Sequence, residues 1–245
     1  MVDRFYGDLS LAEMYDSLVP WGPTDAFCLE WVRGAGAVLD VGCGTGRLLG
    51  RARDTGHRGR LTGLDPAAAM LVQARRRAPG VQWVLGDLAC VRWAAAFELV
   101  VMSGRVVQLL LDDHRLRASF AAVHRALLPG GRLVLDALNP AARPWETWTP
   151  DRVREITGPD GTTVRTWREA DTPVRGARVT YADVFAGGRW ERARESRGEL
   201  RFLDAGGLDR FLAEAGFAVE ERYGGGAREP YGPTSPEMVT VARRR

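Results

Sequence analysis

Three acids in this 245-residue chain follow short apolar runs and stand where a nucleoside ligand would need them. Asp40 closes Ala37-Val38-Leu39, Asp65 closes Arg60-Leu61-Thr62-Gly63-Leu64, and Asp87 comes after Val81–Leu85 and Gly86. Asp40 leads into Val41-Gly42-Cys43-Gly44-Thr45-Gly46-Arg47 and then a helical pattern from Leu48. Glycines at a strand-to-helix turn let the backbone approach a ligand, and the helix N-terminus supplies free N–H groups. The spacing departs from the dinucleotide fingerprint: Arg47 holds the third glycine position and Gly46 sits one residue early. No lysine follows, which excludes a Walker-type phosphate loop.

Asp40 narrows the ligand further. A carboxylate at the strand tip repels a pyrophosphate and suits an ammonium or sulfonium. S-adenosylmethionine carries both, and its carboxylate suits the helix N-terminus; the alternative is that Asp40 merely caps a turn. Asp65, about 20 residues past the glycines, is placed to accept both ribose hydroxyls, with Pro66 expected as a first helical residue. Asp87 is placed to accept from the adenine amino group.

On these residues the chain resembles the class I S-adenosylmethionine-dependent methyltransferases. The resemblance is carried by Val38 to Arg47, Leu64-Asp65-Pro66 with Met70-Leu71, Gly86-Asp87-Leu88, and Leu127-Leu128-Pro129-Gly130-Gly131 through Asp136. It is dense over residues 11–136 and resumes at Phe202–Phe217 and the terminal strands. It implies an α/β fold, a doubly wound, Rossmann-like, seven-stranded and mostly parallel sheet whose last strand is antiparallel. It places the cofactor over the strand tips, against Tyr15, Asp40, Gly42, Cys43, Gly44, Gly46, Asp65, Pro66, Met70, Gly86, Asp87, Leu88 and Ser103.

The elements that must position these residues divide the chain. Residues 1–36 hold two expected helices, Leu9–Leu18 and Asp25–Arg33, parted by Pro20-Trp21-Gly22-Pro23; in the family such a segment folds over the ligands. Tyr15 and Trp21 either contribute to the site or pack the segment onto the sheet. Residues 37–138 and 202–245 form the expected core. Between them, 139–201 opens with Trp145-Glu146-Thr147-Trp148 and turns to β alternation at 162–168, 177–185 and 189–203, with turn signals at Asp160-Gly161 and Gly187-Gly188. Val179, Tyr181, Asp183 and Phe185 share one face. An antiparallel β cap rooted at the cofactor edge follows, either a substrate wall, a dimer surface or an ordinary packed hairpin. The end reads as a helix over 207–215, strands at 217–223 and 236–242, and a Gly- and Pro-rich loop holding Tyr231.

The acceptor side begins after the fourth strand, 97–102, at Ser103-Gly104-Arg105-Val106-Val107-Gln108. The Asn/Asp-Pro-Pro-Tyr/Phe motif of enzymes that methylate nucleic-acid amines is missing, and Arg105 stands where related small-molecule enzymes often carry histidine. Arg105 and Gln108 are therefore expected to face the methyl, with Trp21, Trp145, Trp148, Tyr181 and Tyr231 around the substrate. An arginine stays protonated and cannot serve as base; it either binds an anionic or carbonyl group or forms a structural ion pair. His57, His114 and His124 read as structural or solvent-facing, and no metal cluster or nucleophile–histidine set is visible.

Composition sets the remaining bounds. All 34 cationic residues are arginine and Ile156 is the sole isoleucine, the mark of a GC-rich bacterial genome. A net charge of +3 spread along the chain points away from nucleic acid. Arg75-Arg76-Arg77 suits a helix end, and Arg243-Arg244-Arg245 reads as a solvated tail. The start lacks a secretory pattern, no apolar run nears the roughly 20 residues of a membrane span, and Cys28, Cys43 and Cys90 suggest a reducing cytoplasm. The expectation is a cytoplasmic methyltransferase, monomer or homodimer, acting on an O, N or C nucleophile of a small molecule in bacterial secondary metabolism. A macromolecule methyltransferase and a non-methylating cofactor-binding protein are the alternatives.

Overall fold

The computed structural model describes residues 4–171, 177–188 and 190–245. The first residue of the strand expected from Arg189, and Met1-Val2-Asp3 of the start-of-chain reading, lie outside them. The chain runs α1 (Arg4–Gly7), α2 (Leu9–Leu18), α3 (Pro23–Arg33), β1 (Ala37–Val41), α4 (Arg47–Asp54), β2 (Arg60–Asp65), α5 (Ala68–Arg77), β3 (Gln82–Leu85), β4 (Phe97–Met102), α6 (Asp113–Ala126) and β5 (Leu127–Leu138). There follow β6 (Arg154–Thr157), β7 (Thr163–Ala170), β8 (Arg178–Gly187), β9 (Trp190–Arg201), α7 (Ala205–Glu214), β10 (Phe217–Tyr223) and β11 (Glu237–Arg244).

Seven strands form one sheet in the order β10-β11-β5-β4-β1-β2-β3. The β1 to β5 pairings are parallel, while β11 runs antiparallel to both β5 and β10. Alternation along each strand supplies both faces. Leu39, Val100, Met102, Leu133 and Leu135 join α6 and α7, whereas Val38, Leu99, Val101 and Val134 join α3 and α4. This two-residue period separates the two cores. It also turns Asp40, two residues on from Val38, toward the α3 side, where Asp25 adds to the burial and the Asp65 charge that raise its pKa.

Local chemistry sets two helix starts differently from the sequence reading. α3 begins at Pro23 rather than Asp25, because Asp25 reaches back to accept the Gly22 N–H at 2.8 Å. Proline is comfortable at such a first position, having no N–H to leave unpaired. Pro66, in contrast, is not a first helical residue: α5 starts at Ala68, since Asp65 Oδ1 takes the Ala67 N–H at 2.8 Å and extends the turn.

Residues 139–201 hold a second, antiparallel sheet ordered β6-β7-β8-β9. Its edge strand β6, four residues long, is too short for an alternation signal and escaped the sequence reading. The inner face is apolar at both ends. Val164, Phe185 and Trp190 pack on Leu11, Met14 and Leu18 of α2, while Val179, Tyr181 and Leu200 pack with Leu138, Phe202, Trp145 and Trp148. The cap is thereby tied to the N-terminal segment and to the end of β5. Among the described residues no helix is long and apolar enough to cross a membrane.

Candidate active site

The glycine turn is built to keep one backbone edge clear. Gly42, Gly44 and Gly46 all have positive φ, at 70°, 54° and 72°, where a side chain is strained. A Cβ at Gly42 would come within 2.4 Å of Val106 and one at Gly46 within 2.5 Å of Trp83, yet at Gly44 it would meet nothing within 4 Å. Gly42 and Gly46 therefore serve packing, and Gly44 faces open space. The Gly42 and Cys43 N–H groups donate to the Leu64 carbonyl at 2.7 and 3.2 Å, which fixes the turn on the tip of β2. The Cys43 side chain packs away from that edge, against Leu71, Ala74 and Trp83.

Asp40 is 2% exposed and has no hydrogen-bond partner among the described residues. Burial, then the charges of Asp65 and Asp25, push its pKa up to about 8. Such a carboxylate is costly unless a cation joins it. Asp65 is also buried; its Oδ2 accepts the Gly44 N–H and its Oδ1 the Ala67 N–H, both at 2.8 Å. An ionised carboxylate has about four acceptor positions, so roughly two remain for a diol. Burial raises the Asp65 pKa against these two bonds. Asp87 is exposed and caps its own turn, accepting from Ala89 and Cys90 at 2.9 and 3.2 Å. Gly86 donates to the Asp65 carbonyl at 3.0 Å, which brings the β3 tip beside the β2 tip, and Leu88 is buried beneath.

The N-terminal segment lies against this edge. Tyr15 packs with Ala67, Ala69 and Met70, and Asp65 and Arg105 are among the charges that act on its hydroxyl, whose pKa burial raises. Arg47 binds the Val19 carbonyl, pairs with Asp25 at 3.1 Å and stands 5.5 Å from the centre of the Trp21 ring. Thr45 donates to Asp16 at 2.7 Å. The segment is thus latched to residues of the glycine turn itself. Trp21, 37% exposed, has its described ring contact with Arg47 and not with the cap aromatics.

On the acceptor side the sequence expectations divide. Ser103 and Arg105 stand at the β4 tip, and the Arg105 guanidinium forms no ion pair among the described residues. Gln108 does not face the site. It is 2% exposed, its Oε1 accepts the Leu138 N–H at 2.9 Å and its Nε2 donates to the Arg201 carbonyl at 3.3 Å. Its amide clasps β5 to β9, because a 3-10 turn over Val106–Leu109 rotates the side chain inward. Gln108→Ala is expected to destabilise the fold by about 2–4 kcal/mol, from an orphaned N–H and a cavity. Denaturant unfolding checks this, with cofactor affinity measured on the folded protein expected unchanged.

Tyr231 also departs from expectation. It donates to Asn139 Oδ1 at 3.3 Å, while Asn139 Nδ2 donates to the carbonyls of Gly232, Pro233 and Ser235. The tyrosine packs its own loop onto the core. Trp145, Trp148 and Tyr181 do come together, with Trp145 4.7 Å from Phe202 and Trp148 5.8 Å from Tyr181 between ring centres. Asp183 is held by Arg168 through two bonds of 2.7 and 2.8 Å, and Arg168 lies over Tyr181 at 4.2 Å. His57 bonds the Ala35 carbonyl region at 2.8 Å and His124 stacks edge-on to Phe217. No group of His, Cys, Asp and Glu among the described residues could hold a metal ion.

Two residues were missed. Tyr6 in α1 sits 6.2 Å from Tyr15 between ring centres and feels the charges of Arg168 and Asp183; nothing in its sequence neighbourhood signals this. Asp136 ends the apolar run of β5 as Asp40 ends β1, and that shared signal could have singled it out.

A family model described as a methyltransferase domain matches residues 38–131, the span from β1 through the glycine turn and strand-tip acids to the start of β5. The core of the chain is thus similar to a methyltransferase domain over that span. The chain is 41% identical over 120 residues to 2-phytyl-1,4-naphtoquinone methyltransferase of Thermosynechococcus vestitus, covering 46% of this chain and 50% of that protein. The chain spans about half, or less, of the length of the first curated relatives it matches. Among solved structures, CcbJ methyltransferase from Streptomyces caelestis superposes with a TM-score of 0.77 at 22% identity, covering 98% of this chain and 97% of that one. CalS10, an amino pentose methyltransferase from Micromonospora echinaspora solved with S-adenosylmethionine bound, gives 0.68 at 26% identity, with 94% of each chain covered. The likeness to both structures extends through the cap as well as the core of this chain.

Proposed function

We propose that this protein transfers a methyl group from S-adenosylmethionine to an O, N or C nucleophile of a small molecule. One observation carries the reading: the buried, unpartnered Asp40 carboxylate beside the open edge at Gly44 fits a cationic amino-acid head. Asp40 binds the ammonium, Asp65 the ribose hydroxyls, Asp87 and the Gly86–Leu88 turn the adenine, and Tyr15 with Met70 covers the sugar. When bound, the cofactor supplies a methyl already activated on sulfur. The protein's own work is then orientation and exclusion of water, with residues 1–36 as the lid and 139–201 as the substrate cap.

Arg105 binds an anionic or carbonyl group of the acceptor, or lowers the pKa of an acidic hydroxyl. Among the described residues no histidine or unpaired carboxylate stands ready as a base at this tip, which favours an acceptor that ionises easily or an amine that arrives neutral. Amino sugars head the acceptor panel, since the CalS10 relative is an amino pentose methyltransferase. Arg105→Ala should cut kcat/KM for the true acceptor by at least tenfold, with S-adenosylhomocysteine affinity unchanged. Unaltered turnover and KM would remove Arg105 from the site.

Calorimetry with S-adenosylmethionine and S-adenosylhomocysteine, followed by incubation of methyl-labelled cofactor with cell extract, tests the whole reading. Label in the small-molecule fraction is expected. Label in RNA or protein would make this a macromolecule methyltransferase, and binding without conversion would make it a cofactor-binding protein. No heat at millimolar ligand would sink every version.

A further inference from the structure

We propose that Asp136 is a positioning residue of the acceptor site: its buried carboxylate accepts the main-chain N–H groups of Gly104 and Arg105 and so holds the Arg105 guanidinium where an oxyanion of the acceptor binds. The proposal rests on the acceptor role given to Arg105 above.

Asp136 is 4% exposed at the tip of β5, beside β4 in the sheet. Its Oδ1 accepts the Gly104 N–H at 2.7 Å and its Oδ2 the Arg105 N–H at 3.3 Å. Both donors have left-handed backbone, with φ of 74° and 69°. Glycine adopts this freely, whereas arginine does so at a cost in strain that the surroundings must offset. Here the offsetting group is the carboxylate, since consecutive N–H groups in a tight turn converge on an anion. The next residue, Val106, packs against Gly42 so closely that a Cβ there would collide with it. The conformation held by Asp136 therefore sets both the direction of Arg105 and the seat of the loop on the glycine turn. Arg105 acts electrostatically on Tyr15 on one side and on Asp136 on the other, which locates its charge between the lid and β5.

The hold is sensitive to pH. Burial and the neighbouring Glu237 of β11 raise the Asp136 pKa, Arg105 and the two N–H groups lower it, and the balance lies at about 7. Across the α3 side it acts on the Cys28 thiol, together with Asp40, Asp25 and Glu237. Above pH 7 the ionised carboxylate accepts both N–H groups; below it, protonation turns one oxygen into a donor and weakens the grip.

Amide NMR tests the positioning without needing the acceptor. The Gly104 and Arg105 amide protons of the wild type should titrate together with a midpoint near 7, and stay flat across that range in Asp136→Asn. Arg105 is then labelled with phenylglyoxal at pH 8 with S-adenosylhomocysteine bound, using sulfate as the oxyanion probe. The sulfate concentration giving half protection should rise at least threefold in Asp136→Asn. Wild-type amides that do not titrate, a titration that persists in the variant, or equal protection in both would overturn the proposal. The wild-type titration stands even where the variant fails to fold. Absence of S-adenosylhomocysteine binding by the wild type would fail the methyltransferase reading separately.

Discussion

Replacing Asp65 by alanine should weaken S-adenosylmethionine binding by about 1.5–3 kcal/mol, roughly ten- to 150-fold, because it removes a charged acceptor of two ribose hydroxyls. The structure adds a second consequence. Asp65 holds the Gly44 N–H and the Ala67 N–H at once, so the variant loses both the ligand contact and the tie between the open glycine and α5. Asp65→Asn separates the two effects, since its amide oxygen can still accept one backbone N–H while the anionic charge is gone. Titration calorimetry on both variants is the measurement. An affinity within twofold of wild type for Asp65→Ala would remove the ribose role. NAD should not compete with the cofactor in either protein.

The second large effect is on pH. Asp40 has a pKa near 8 in the ligand-free protein, against about 3.9 in an unfolded chain. The folded state therefore holds the proton more tightly across roughly pH 4–8, and the stability of the free protein should fall as pH rises through that window. A cationic ligand needs the ionised form. Cofactor affinity should therefore rise by up to about tenfold per pH unit below pH 8, with release of about one proton per ligand bound. Above about pH 8 the ligand's own amino group deprotonates and affinity should fall again. Calorimetry in two buffers of different ionisation enthalpy reads the proton count. Asp40→Asn should bind weakly and lose the rising limb; a wild-type affinity flat from pH 6 to 8 would take Asp40 out of the cation site.

The strand-tip acids were legible because parallel strands in such a sheet end on one edge. Asp40, Asp65 and Asp87 each follow an apolar run, so spacing alone placed them together, and the structure puts all three tips side by side through β1, β2 and β3. The glycine turn was legible for a related reason: Gly42, Gly44 and Gly46 need positive φ, and few other residues tolerate it. The β cap was visible in alternation, as in Val179, Tyr181, Asp183 and Phe185, all of which prove buried. Its edge strand β6 was not, since four residues carry too little period.

Side-chain direction beyond the strand tips was decided in three dimensions. Gln108 and Arg105 are three residues apart and both polar, yet a 3-10 turn sends one into a backbone clasp and leaves the other without an ion pair among the described residues. Tyr231 and Tyr181 are both aromatic, but Asn139 draws the first into its own loop while the second joins Trp148. Sequence by itself determined the doubly wound core and the edge where the strand-tip acids meet the glycine turn, because backbone period, glycine conformation and strand direction are local properties repeated along the chain. Only the tertiary structure decided which polar groups are already satisfied, because a hydrogen bond between residues such as Gln108 and Arg201, or Asp136 and Gly104, depends on elements brought together from distant parts of the chain.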